Sequence, residues 1–96
     1  MAVLRMHRYS VDPADLDELI KRRAALIEAL RAADYKLIHT RLTRLEDGTF
    51  SDVWVWDSVE TMKAVGADLP NFPQAAAALS LTRDRTDIDG EIVDER

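Results

Sequence analysis

Between Phe50 and Ser58 the side chains alternate strictly: Phe50, Asp52, Trp54 and Trp56 fall on one side of an extended chain, and Ser51, Val53 and Val55 on the other. The stretch follows an Asp47-Gly48 pair and ends on Asp57-Ser58. It predicts a strand entered from a tight turn and running into a helix. Residues 2–9 alternate in the same way and predict a first strand. Asp12 then offers an N-cap, Pro13 suits the first helical position, and Asp15 complements the positive end of the helix dipole. Leu16, Leu19, Ile20, Leu26, Ile27 and Leu30 recur at helical spacing, so this first helix is predicted to run to about Asp34.

Residues 35–46 and 50–56 predict two strands joined through Glu46-Asp47-Gly48-Thr49. Asp57 or Ser58 caps a second helix reaching about Ala67. Leu69-Pro70-Asn71-Phe72-Pro73 interrupts it, and Asn71 with Pro73 opens a short helix through the alanine run 75–78. Residues from about Thr82 to Val93 predict a last strand, polar enough to lie at an edge. The order is β-α-β-β-α-β, an α+β ferredoxin-like arrangement with an antiparallel sheet and helices on one face. Strict alternation puts Leu4, Met6, Ile38, Leu42, Val53 and Val55 on the open face. A second copy packed sheet to sheet covers such a face, so a homodimer is expected.

Composition narrows the classes. The 96 residues suit a single domain over 1–96. No cysteine is present, which removes disulfides, thiolate metal sites and a thiol nucleophile and suits a cytoplasmic protein. Neither the N-terminus nor any other stretch is apolar over a span that a signal peptide or a membrane requires. The net charge of −5, with arginines interspersed among acids, argues against a nucleic-acid partner.

The candidate chemistry gathers on the aromatic face. Asp52 stands among both tryptophans of the chain, and an acid among large aromatics needs a partner. Arg23 falls inside the apolar arc of the first helix, aimed at the sheet, and Asp52 is the natural acceptor. The pair serves either as a structural ion pair or as part of a ligand-binding wall. Alternation groups Val3, Arg5, His7 and Tyr9 on strand one, and Tyr35, Leu37, His39 and Arg41 on strand two. Both histidines thus adjoin the Asp52–Trp54–Trp56 face, where a histidine beside a carboxylate relays protons. No helical H-x-x-x-H spacing supports a metal site, so none is expected. Gly48, Gly66 and Gly90 are isolated and form no phosphate loop, no G-x-S-x-G elbow occurs, and no cofactor is expected.

Two segments carry a resemblance to a known family: Met6-His7-Arg8-Tyr9-Ser10-Val11-Asp12-Pro13, and Val53-Trp54-Val55-Trp56-Asp57-Ser58-Val59-Glu60, each entering a helix. Over nearly its whole length the chain resembles the antibiotic biosynthesis monooxygenase (ABM) type of dimeric α+β barrel. The resemblance implies two ferredoxin-like subunits packed through their sheets, each with a pocket between sheet and helices. The family so resembled includes cofactor-independent oxygenases of phenolic polycyclic substrates, haem-degrading enzymes and many proteins without known activity. Trp56 matches the tryptophan that ends the third strand and lines the family pocket, and His7 falls where several members carry a polar pocket residue. Asp52 stands where oxygenase members carry asparagine, and Met62 where some carry tyrosine. Residues 57–80 contain no histidine, where the haem-degrading members need an axial one.

On this reading the leading expectation is a cofactor-free monooxygenase of a phenol or quinol, with His7, Asp52 and Trp56 as the catalytic group. The substrate stacks on Trp54 and Trp56 beside Met62, ionises with help from His7 or His39, and has its developing oxyanion stabilised by Arg23 or Arg41. A non-catalytic dimeric module for a small apolar ligand is the main alternative. A cyclase or isomerase with Asp52 or His7 as base is the other.

Overall fold

The computed structural model describes residues 1–96. Four strands, β1 (Val3–Val11), β2 (Leu37–Arg44), β3 (Phe50–Trp56) and β4 (Thr82–Glu91), form one antiparallel sheet in the order β2-β3-β1-β4. Helix α1 (Leu16–Ala32) connects β1 to β2, while α2 (Val59–Asp68) and α3 (Pro73–Leu79) connect β3 to β4. This is the split β-α-β topology that the element order predicts, with β4 at an edge. No helix is long and apolar enough to cross a membrane.

Local chemistry places the boundaries. Asp12 accepts a bond from the Ala14 amide at 2.9 Å and starts a single 3-10 turn, Pro13–Asp15, before α1 proper. Ser58 rather than Asp57 caps α2, accepting from the Thr61 amide at 3.2 Å. The hairpin between β2 and β3 turns at Gly48, whose φ of +86° suits a residue without Cβ, and Asp47 braces it by accepting from the Thr49 amide at 2.9 Å.

Helix α1 presents Leu19, Arg23, Leu26 and Leu30 to the sheet, a spacing of four, three and four that keeps one face inward. Ile20, predicted in the same stripe, sits on its flank and is half exposed. The core divides in two. One cluster gathers Val3, Leu26, Leu30, Leu37, Trp54, Trp56, Met62, Val65 and Ala75, and the other Tyr9, Val11, Leu19, Phe50 and Ala78. Members of both clusters line one cavity between them.

Irregularities in the edge strands correct the face assignments. Leu37 pairs with Trp56 but His39 pairs with Val55, so Ile38 is an extra residue in β2. Beyond the bulge every side chain changes face relative to strict alternation. Leu42, expected on the open face, turns inward and packs against the cluster that contains Tyr9 and Phe50. A second bulge lies in β4, where Arg8 pairs with Thr86 and Ser10 with Arg83. Asp84 there adopts a φ of +55°, a left-handed conformation that aspartate tolerates better than most residues.

Candidate functional site

The register of β1 against β3 sets Arg5 beside Trp54, His7 beside Asp52 and Tyr9 beside Phe50, all facing the helices. With α1, α2 and α3 above them, all of these but Phe50 line a cavity of about 140 Å³. Cavities of about 150 Å³ accommodate a benzene ring. The lining is mostly apolar, from Leu26, Leu30, Met62, Val65 and both tryptophans. Trp54 and Trp56 stack with centroids 6.1 Å apart and planes 22° from parallel, so the wall offers an aromatic platform.

One polar constellation is buried against this wall. Asp52 is 5 % exposed. Its Oδ1 accepts from Arg23 Nη2 at 2.8 Å and Nε at 3.1 Å, while Oδ2 accepts from Arg23 Nε at 3.1 Å and from the Tyr9 hydroxyl at 2.7 Å. The guanidinium also lies 5.5 Å from the Trp54 ring centroid, within cation–π range. Burial pushes the Tyr9 phenol far above its ordinary value, and the Asp52 charge adds to the rise. Tyr9 is therefore a neutral donor to Asp52 and not a phenolate base. With four donor contacts on its two oxygens, Asp52 has little lone-pair capacity left for a substrate.

A second polar row lies where β1 meets β4. His7 Nδ1 is 2.5 Å from Asp87 Oδ1, and Arg5 holds Asp89 through Nε at 2.7 Å and Nη2 at 3.0 Å. The bond from Arg5 pulls the Asp89 carboxyl below the usual carboxylate range and raises the guanidinium in turn. A carboxylate accepting from the ring places a hydrogen on Nδ1, and in the neutral imidazole the lone pair is then on Nε2. His7 lines the cavity and keeps 29 % of its side chain exposed.

The structure thus brings His7, Arg23, Asp52, Trp54, Trp56 and Met62 to one cavity. His39 and Arg41 are not there. The bulge at Ile38 turns them to the opposite sheet face, across from Val55 and Val53, where both are exposed. Sequence reasoning missed Asp87 and Asp89, although Arg5 and His7 alternate on β1 as the two acids do on β4. Antiparallel pairing with opposite charges facing was the available signal.

No protein-family model matches the chain, and no curated protein matches it. Solved structures do. SnoaB, a cofactor-independent oxygenase from Streptomyces nogalater, superposes with a TM-score of 0.72 at 19 % identity, covering 98 % of this chain and 95 % of SnoaB. A dimeric ferredoxin-like protein from an uncultured marine organism gives 0.70 at 17 %, covering 99 % and 90 %. MhuD, a haem degrader from Mycobacterium tuberculosis with two haems in its active site, gives 0.68 at 22 %, covering 98 % of each chain.

The chain shares the ferredoxin-like α+β fold of these proteins.

Within that fold its own cavity does not suit haem. Four pyrrole rings exceed a space of about 140 Å³, and α2 and α3 carry no histidine.

Proposed function

We propose that this chain is a cofactor-independent monooxygenase of a single-ring phenol or quinol. The observation that carries the reading is His7, oriented by Asp87, at a cavity walled by Trp54 and Trp56. The substrate ring rests on the tryptophans and Met62. Nε2 of His7 accepts the hydroxyl proton, which raises the electron density of the ring. An electron-rich ring carbon passes electrons to O₂ and forms a C–O bond. Breaking the O–O bond of the resulting hydroperoxide then releases water and leaves a carbonyl. Substrate carbon supplies all the electrons, two for the oxygen retained and two for the oxygen lost as water.

Arg23 and Asp52 hold the cavity wall in place. Nη1 of Arg23 makes no hydrogen bond within the protein, so it is free to stabilise charge developing on the substrate. Asp52 is occupied by Arg23 and Tyr9, which disfavours a cyclase or isomerase with Asp52 as its base.

Oxygen uptake with a panel of hydroquinones, from one ring to anthrone-sized molecules, tests the reading. Single-ring members are expected to be turned over. If every member binds without consuming oxygen, the chain is a ligand-binding module and the oxygenase reading falls.

The reading includes a homodimer through the open sheet face. Met6 stands between Val53 on β3 and Ile88 on β4, and Leu4 lies beside Val55, which makes an apolar row. Ile88 is 61 % exposed in the isolated chain, and a second copy covers it. Light scattering at micromolar concentration is expected to show a dimer for the wild type and a monomer for the double variant Met6→Glu, Val53→Glu. A monomeric wild type would sink this part of the reading.

A further inference from the structure

We propose that Arg85 reads a carboxylate on the ligand, so that a single-ring phenolic acid is preferred to a neutral phenol. This rests on the phenol reading above and adds the acidic substituent to it. Three arginines line the cavity: Arg5, Arg23 and Arg85. Asp89 neutralises Arg5 and Asp52 neutralises Arg23. Arg85 has no carboxylate partner. Its Nη1 donates to the Leu79 carbonyl at 3.0 Å, the Thr82 carbonyl at 3.2 Å and Thr82 Oγ1 at 2.8 Å. Nε and Nη2 make no hydrogen bond within the protein. These neutral acceptors fix the guanidinium without cancelling its charge. The side chain therefore has less freedom to lose when an anion arrives, and it keeps two nitrogens with which to grip one.

The β4 bulge creates this arrangement. Strict alternation would set Thr82 and Arg85, three residues apart, on opposite faces of the sheet. The extra residue, with Asp84 in its left-handed conformation, turns both to the cavity and lets one brace the other. Arg85 also lies two residues along β4 from Asp87, the partner of His7. His7 and Arg85 therefore both reach the cavity from one stretch of the β1–β4 seam. A benzene ring bearing a hydroxyl and a carboxylate at opposite positions presents the hydroxyl to His7 and the carboxylate to Arg85. A cavity of about 140 Å³ leaves room for one such ring.

Isothermal titration with 4-hydroxybenzoate and 4-hydroxybenzamide, nearly equal in shape and different in charge, tests the proposal directly. Wild type is expected to bind the acid at least tenfold more tightly than the amide. Arg85→Gln should bring the ratio close to one, and Arg85→Lys, which keeps the charge but not the two-nitrogen grip, should give an intermediate ratio. Equal binding of acid and amide by wild type, or a ratio that survives Arg85→Gln, overturns the role of Arg85 and leaves the phenol reading standing. Silence for both compounds also overturns it. Hydroquinone then decides the rest, because its failure to bind takes the phenol reading down as well. The wild-type comparison stands even if a variant folds poorly.

Discussion

Replacing Arg23 with methionine is expected to lower the unfolding free energy by about 3–5 kcal/mol, because it leaves a buried charge with one partner where it had two. Asp52 is 5 % exposed and the Arg23 side chain 14 %, so water cannot take over from the guanidinium. Tyr9 remains, but a single phenol donor does not neutralise a carboxylate. For a chain of 96 residues the loss corresponds to a fall in Tm of more than about 12 °C. The ion pair itself need not be stabilising, since two charges were removed from water to make it. The triple variant Arg23→Met, Asp52→Leu, Tyr9→Phe removes charge, partner and hydroxyl together, and it is expected to regain most of the loss. Thermal and urea melts of both variants at one protein concentration check this. A single variant as stable as wild type would show that Asp52 is solvated in solution and that the constellation is not a buried one.

His7→Ala is expected to lower turnover of a single-ring quinol by about 10²- to 10⁴-fold, the usual contribution of a positioned general base. The fall should appear in kcat, with KM changing little, because the tryptophans and Met62 supply most of the binding surface. Asp87→Asn keeps an acceptor for Nδ1 but removes the charge that favours a protonated ring. A hydrogen bond to a charged group contributes about 1.5–3 kcal/mol, so a loss of about 10- to 100-fold in kcat is expected, smaller than that for His7→Ala. Stopped-flow oxygen consumption with both variants, alongside their melting curves, separates this effect from misfolding. Unchanged kcat in His7→Ala would remove His7 from the chemistry and leave the cavity without a base.

The two bulges show why some of the site was legible and some was not. On β3 alternation is unbroken, and Phe50, Asp52, Trp54 and Trp56 share the cavity face as the sequence predicts. On α1 helical periodicity holds, so Arg23 was expected to seek Asp52 and does meet it. On β2 a single extra residue at Ile38 reversed the expectation for His39, Arg41 and Leu42. Nothing in Leu37-Ile38-His39 marks a bulge, since no glycine or proline stands there. The β4 bulge is equally silent, with an aspartate in the conformation that glycine usually takes.

The sequence by itself determined the element order, the ferredoxin-like α+β class, the aromatic wall of β3 and the need of Asp52 for a partner. All of these follow from short-range periodicity, capping and the cost of burying a lone charge. Tertiary structure alone decided which histidine reaches the cavity, which acids orient the cations of β1 and which arginine stays without one. Those outcomes depend on strand register. One inserted residue inverts a face, and the energy that places it is spread over the packing of the whole sheet against its helices.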